Sequence, residues 1–181
     1  EVSSYGMGLP AFFNDETLIP IMLAQGYDIK EARDYAIVGC VEPTVPGISE
    51  PWLTGGFLNL PKILELTINN GFDPIYNKQR AYQTGDVETF TTFEQFATAF
   101  VAQLAYYINQ HVLCNNILEC VHADLCPTAF QSALTADCLR NAKTTLEGGA
   151  RHNTSTINVV GFANVVDSFA SLRVSVSTTL N

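Results

Sequence analysis

The spacing of hydrophobic positions changes several times along the chain, and each change predicts an element. Residues 1–13 mix glycine, proline and aromatics (Gly6, Gly8, Pro10, Phe12, Phe13) without a period and read as loop with a short extended piece. Asn14 then opens a helix whose first turn carries Asp15 and Glu16, where the helix dipole favours acids. Leu18, Ile19, Met22 and Leu23 form its apolar face, Pro20 marks a kink position, and Gly26 ends it. Asp28 and Glu31 have capping-box spacing for a short second helix, Ile29 to Asp34. The run Ala36-Ile37-Val38 then drops the helical period and reads as the start of a buried strand, punctuated by Gly39 and Pro43.

Pro43-Thr44-Val45-Pro46-Gly47 reads as an ordered turn, and Trp52 to Gly56 as a second loop. A helix is predicted from about Phe57 to Asn70, with Leu60, Ile63, Leu64 and Ile68 on a core-packing stripe and Gly71 as its stop. Residues 72–91 read as a connecting loop, with turn signals at Asp73-Pro74 and Gly85-Asp86. The longest helix is predicted from Thr92 to about Ala123, where Phe93, Phe96, Phe100, Leu104, Tyr107, Ile108 and Val112 recur at helical spacing. So much apolar circumference predicts the buried spine of a large protein. The last third reads as a helix over Thr135 to Leu146, a strand over Thr156 to Gly161, and a helix from Asn164 through about Ser171. Strands alternating with helices predict an α/β architecture.

Composition narrows the picture. A chain of 181 residues is one domain's worth, and 47% hydrophobic content suffices for a packed core. No apolar run reaches ~18 residues, so no membrane-spanning helix is expected. The first residues lack the basic and apolar segments of a signal peptide and an initiator Met, so the chain reads as cut from something longer. Eighteen acidic against nine basic residues give a net charge of −9, which argues against nucleic acid or an anionic membrane as partner. The cysteines are Cys40, Cys114, Cys120, Cys126 and Cys138, an odd number without a C-x-x-C pair, which suits a reducing cytoplasm. Cys114, Cys120 and Cys126, with His111 and His122, invite a zinc reading. Six-residue spacing rotates successive helical positions by about 240°, however, so no metal site is expected.

The stretch with chemical promise is Ala36 to Pro43. In an extended backbone alternate side chains share a face, so Cys40 and Glu42 would leave the chain together while Val41 points away. Pro43 biases Glu42 towards extended conformation, and Gly39 lets another backbone approach closely. A thiol and a carboxylate side by side are expected to share a buried cavity. Read without further context, Cys40 is a packing residue. A cysteine hydrolase pairing Cys40 with His111, His122 or His152 is a further reading, without a local signature to support it.

The string Asp34-Tyr35-Ala36-Ile37-Val38-Gly39-Cys40-Val41-Glu42-Pro43 resembles the active-site cysteine loop of the glycyl radical enzymes, the family that includes pyruvate formate-lyase. Its Gly-Cys-Val-Glu-Pro form is similar to the branch of diol dehydratases, choline trimethylamine-lyase and hydroxyproline dehydratase. Phe12-Phe13-Asn14-Asp15-Glu16, Ile19-Pro20, Ala32-Arg33-Asp34-Tyr35, Glu147 to Asn153 and Gly161 to Ser168 resemble other family segments. His152 takes a position where the family often has an aromatic residue, which implies packing. The resemblance covers nearly all 181 residues, while a family member is several times longer. It implies a ten-stranded α/β barrel of two half-barrels, with the cysteine loop (38–47) threaded inside. This chain would be a single fragment, 1–181, supplying the loop and part of one half-barrel, without the glycyl radical domain.

The resemblance also implies chemistry. Cys40 would become a thiyl that takes hydrogen from a substrate carbon, and Glu42 would act as general base on the adjacent hydroxyl or ammonium. Trp52, Thr54 and Phe57 are the substrate-pocket candidates. Gly39 stands where pyruvate formate-lyase has a second cysteine, which argues against acyl transfer. Leu53-Thr54, followed by Gly55-Gly56, stand where diol dehydratases carry His-Asp, which argues against simple diol dehydration. The implied function is a lyase cleaving a C–O or C–N bond of a small substrate. An aryl-acetate decarboxylase and a non-catalytic fragment or dead relative are the alternatives. No bound cofactor is implied; the radical would sit on a segment outside this chain, installed by a radical-SAM activase. A homodimeric, cytoplasmic, anaerobic enzyme, in some relatives housed in a microcompartment, completes the expectation. Arg173-Val174-Ser175 is similar to the radical loop, but Val176 stands where glycine is required, so Arg173 reads as a helix-end residue.

Overall fold

Local signals at Asn14 and Asp28 start the first two helices. In the computed structural model, which describes residues 2–6, 11–52 and 55–179, Asn14 Oδ1 accepts the Glu16 amide (2.9 Å) ahead of α1, Asp15–Ala24. Asp28 and Glu31 close a capping box on α2, Ile29–Arg33. These helices belong to the first of two compact units, Glu1–Leu53 with Pro127–Thr154; the second comprises Thr54–Cys126 with Ser155–Asn181.

In the first unit Met22, Tyr27, Ala32 and Val45 are buried together, with Ile19, Tyr35 and Ile48 packed against them. Met22 and Ala32 face inward from the two helices, and Val45 joins them from the chain just beyond the cysteine segment. That segment is a hairpin: β1, Ala36–Val38, pairs antiparallel with β2, Glu42–Thr44, in the register Ala36↔Thr44, Ile37↔Pro43 and Val38↔Glu42. Next, β3, Ser49–Trp52, pairs with a strand arriving from far along the chain, His152–Ser155. The predicted loop from Trp52 thus begins as strand.

A single helix over 135–146 is not what forms. Two short helices, α5 (Ala129–Leu134) and α6 (Cys138–Asn141), precede a 3₁₀ turn at Thr145–Glu147. Asp137 (φ 76°) and Ala142 (φ 49°) take the left-handed conformation, which no right-handed helix can continue through.

In the second unit the chain at Phe57 is strand rather than helix. β4, Phe57–Asn59, lies parallel to Asn158–Val160, pairing Phe57↔Asn158, Leu58↔Val159 and Asn59↔Val160. Asn59 then caps α3, Leu60–Ile68, accepting the Lys62 amide at 3.1 Å, with Pro61 in the first turn where a missing N–H costs nothing. Residues 72–91 are not featureless: β5 (Phe72–Asp73) and β6 (Lys78–Gln79) form a small hairpin. Asp73 is buried within it, accepting Lys62 Nζ (3.1 Å) and the amides of Ile75 (3.0 Å) and Tyr76 (3.3 Å).

The long helix α3 faces is α4, Phe93–Leu125, opened by a Thr92/Gln95 capping box. The C-terminal helix α7 runs Phe162–Thr179, starting earlier and ending later than the sequence pattern suggests. Leu58, Leu60, Ile63, Leu64, Phe96, Phe100 and Val165 are the core of this unit. Phe169 of α7 meets the edges of Phe93, Phe96 and Phe100. Burial along α4 is uneven. Phe96, Ala99, Phe100, Gln103 and Asn115 are buried, whereas Val112, Leu113, Ile117, Leu118, Val121 and Leu125 are exposed within these residues.

Two late strands, β7 (His152–Ser155) and β8 (Asn158–Val160), form where the sequence pattern predicts one strand over 156–161. The architecture is mixed α/β, with paired strands and no closed barrel among the described residues. None of the described helices is long and apolar enough to cross a membrane.

Candidate active site at the Cys40–Glu42 hairpin

Cys40 does not lie on an extended strand. β1 stops at Val38, Gly39 adopts φ +64°, and Cys40 and Val41 form the tip of a turn before β2 begins at Glu42. The alternation rule that placed Cys40 and Glu42 on one face presumes extended backbone, and Gly39 ends that backbone one residue too early. The two residues are neighbours for another reason. Glu42 curls its side chain back into the turn, and Oε2 accepts the amide N–H of Cys40 (2.8 Å) and of Val41 (2.8 Å). Two amides pointing at one carboxylate oxygen form a small anion nest made by the turn itself. Glycine suits the positive φ, and a Cβ on Gly39 would lie 2.8 Å from that oxygen, so any side chain there would push the carboxylate from its present place.

Among the described residues the pair lies at the surface. Cys40 is exposed, Val41 is 63% exposed, and Glu42 is half-buried. By contrast, Cys138 is buried, and burial pushes its thiol pKa up, as befits a packing cysteine. Cys114, Cys120 and Cys126 are exposed, and among the described residues no group of three His, Cys, Asp or Glu side chains is placed to hold a metal ion.

The three pocket candidates fall in different parts of the chain. Trp52 ends β3, and Thr54 falls outside the described residues. Phe57 belongs to the second unit, where it is 63% exposed at a cleft of about 480 Å³ lined also by Lys62, Asp73, Tyr107 and His111.

His152 packs as expected, its ring stacked on Tyr27 with centroids 3.8 Å apart, but it also has a polar partner. Its Nε2 lies 3.1 Å from Glu31 Oε2, and Arg151 Nη1 donates to Glu31 Oε1 at 2.8 Å. From the sequence Glu31 reads only as a helix cap, and Arg151 only as one residue of the Glu147 to Asn153 stretch. The usable signal was an arginine beside the Gly148-Gly149 turn, a charged group in an otherwise small-residue stretch. The Arg151 guanidinium, aided by the Asp28 amide and His152, holds the Glu31 carboxyl down at about 2, against an ordinary 4.5.

A depressed carboxyl pKa stabilises the fold fully above the ordinary value and loses that contribution as pH falls through the folded one. The thermal midpoint of wild type should therefore decline between about pH 4.5 and 2 by an increment that Glu31→Gln does not show, measured by circular dichroism across that range. Parallel curves for the two proteins would remove Glu31 from the acid response.

Fold and site together describe an α/β chain that presents a thiol, on a helix-fed hairpin, beside a carboxylate docked on the thiol residue's own amide. Comparison with known proteins supplies the family. The Pyruvate formate lyase-like family model matches residues 1–179, and the chain belongs to that family, the glycyl radical enzymes. It is 38% identical over 176 residues to trans-4-hydroxy-L-proline dehydratase of Clostridioides difficile, covering 97% of this chain and 22% of that protein. With (2S)-3-sulfopropanediol dehydratase of Klebsiella oxytoca it shares 33% identity over 168 residues, 93% of this chain and 20% of the relative. The crystal structure of the B12-independent glycerol dehydratase from Clostridium butyricum superposes with a TM-score of 0.85 at 39% identity, over 93% of this chain and 21% of that one. The fold is thus that of part of a glycyl radical enzyme barrel, and the chain spans about a fifth of the length of these relatives.

Proposed function

We propose that this chain carries the thiyl cysteine and the general base of a glycyl radical lyase that eliminates a C–O or C–N substituent from a small hydroxylated or amino substrate. The observation that carries the reading is the Glu42 carboxylate seated on the Cys40 amide, which keeps thiol and base within reach of neighbouring atoms of one molecule. Cys40 gives its Sγ hydrogen atom to a glycyl radical held on a segment outside these 181 residues. The sulfur then takes a hydrogen atom from substrate carbon, leaving a carbon radical. Glu42 accepts the proton of the hydroxyl or ammonium on that carbon, and the neighbouring substituent departs with its bonding electrons. The rearranged radical recovers a hydrogen atom from Cys40, and the thiyl returns its vacancy to the glycine.

Relatives named as dehydratases of a hydroxyproline, a sulfopropanediol and a glycerol support C–O cleavage within this scheme. Leu53-Thr54 in place of His-Asp points to a substrate other than a simple diol. A radical-SAM activase, a homodimeric whole enzyme and an anaerobic cytoplasm go with the proposal. The test is to activate the complete polypeptide with a radical-SAM activase under anaerobic conditions, record the glycyl radical by electron paramagnetic resonance, and analyse products from hydroxylated, amino and aryl-acetate substrates. Elimination products support the lyase; carbon dioxide release from an aryl acetate replaces it by the decarboxylase; a radical without any turnover leaves the non-catalytic reading.

A further inference from the structure

One polar cluster ties down both legs of the cysteine hairpin. On the entering side, α2 is followed by Asp34 and Tyr35 and then β1, so Glu31 stands one short helix-end ahead of the strand that leads to Cys40. On the leaving side, β2 is followed by Val45 and the turn to Ile48 and Ser49. Residues 151 and 152 reach both sides. Arg151 donates from Nη1 to Glu31 Oε1 (2.8 Å) and from Nε to Asp137 Oδ2 (3.1 Å). His152 pairs Nε2 with Glu31 Oε2 (3.1 Å), while its amide donates to the Ile48 carbonyl (3.1 Å). Its ring lies on Tyr27, whose hydroxyl pairs with Ser49 Oγ at 2.9 Å.

This differs from an ordinary surface ion pair, which contributes little because both partners are solvated and free to move. The side chains of Glu31, His152 and Asp137 are only 15%, 14% and 14% exposed. Both oxygens of Glu31 are engaged from separate directions, and Oε2 also accepts the Asp28 amide at 3.1 Å. Ala32 and Val45 also share an apolar cluster with Met22 and Tyr27, but apolar packing is non-directional. Beside the β1–β2 backbone ladder, the Glu31 cluster adds directional bonds that tie α2, and through it the strand entering the turn, to residues 151 and 152.

We propose that Glu31, held by Arg151 and His152, is a positioning residue that fixes where the Cys40–Glu42 turn points. The inference rests on the radical-lyase reading above for its effect on turnover. Loss of the cluster should let the hairpin swing, and a misplacement of about 1 Å at a reacting atom costs roughly 10²-fold in rate.

The experiment uses the complete, activated enzyme carrying Glu31→Gln, assayed at a temperature well below the variant's melting midpoint. The expected result is a kcat lowered by roughly 10- to 100-fold, with KM and the glycyl radical signal as in wild type. Peptide-level hydrogen exchange over residues 38–43 should also rise, because a hairpin no longer anchored through α2 opens its turn more often, even though Glu42 Oε2 remains the acceptor of the Cys40 and Val41 amides. A purely structural role would lower the melting midpoint but leave kcat and that exchange unchanged, and this result overturns the proposal. Should wild type itself show no radical turnover, the lyase reading falls while exchange at 38–43 still decides: unchanged exchange in Glu31→Gln rejects the positioning role. Asp137→Asn, which weakens the outer brace on Arg151 together with the Asp137–Arg140 pair, is the second variant. It should shift kcat and exchange in the same direction by less, and wild-type values for both would likewise reject the proposal.

Discussion

Glu42→Gln is expected to lower product formation by roughly 10²–10⁴-fold while the hairpin keeps its shape. The amide oxygen of glutamine can accept the Cys40 and Val41 N–H groups as Glu42 Oε2 does now, so the turn retains its internal acceptor. What glutamine lacks is a basic oxygen for the substrate proton. Hydrogen-atom exchange between Cys40 and a deuterated substrate should therefore survive in this variant, since it requires the thiyl alone. Glu42→Ala removes acceptor and base together, and should add increased hydrogen exchange over residues 38–43 to the loss of turnover. Cys40→Ala should abolish both substrate exchange and turnover, with the glycyl radical still visible by electron paramagnetic resonance. Normal turnover by Glu42→Gln would take Glu42 out of the chemistry, and turnover by Cys40→Ala would end the radical reading.

The second large effect is expected one residue upstream of the thiol. Gly39→Ala imposes two separate penalties. A left-handed backbone costs an L-residue roughly 1–2 kcal/mol, and Gly39 sits at φ +64°. The new methyl would also lie 2.8 Å from Glu42 Oε2, so the carboxylate must shift and its bonds to the two amides weaken. Hydrogen bonds to a charged group contribute about 1.5–3 kcal/mol each, and activity should fall by more than the stability loss implies because the shifted group is the proposed base. Gly39→Asn separates the causes: asparagine tolerates the left-handed region better but carries the same Cβ. Melting midpoints should rank glycine above asparagine above alanine, while turnover should be low in both variants. A fully active Gly39→Asn would show that the space beside Oε2 is not needed.

Much of the scaffold was legible from residue type and spacing, because its signals are local. Asp28 and Glu31, three apart, announced the cap on α2, and Thr92 announced the start of α4. The family was legible too, since the string around Cys40 survives whatever conformation it takes. The conformation was misread because Ala36 to Pro43 is β-forming in composition, whereas the decisive event is the sign of a single φ at Gly39. Phe57 was given to a helix because its hydrophobicity fits either period, although Asn59 followed by Pro61 was the better start signal. The break in 135–146 lies at Asp137 and Ala142, left-handed residues of which alanine gives no warning. The Glu31–Arg151–His152 cluster joins positions about 120 apart, a distance over which neither propensity nor period carries information.

That same separation sets a clock. Glu31 and Arg151 lie 120 positions apart, and a chain synthesised at about 5–20 residues per second makes the second on the order of 6–24 s after the first. During that interval α1, α2 and the hairpin can form from local signals, but the unit they belong to lacks residues 127–154. The orientation of the thiol-bearing turn is therefore among the last features of the unit to be determined. A ribosome stalled after residue 126 would hold a Cys40 whose unit still lacks residues 127–154, Arg151 and His152 among them.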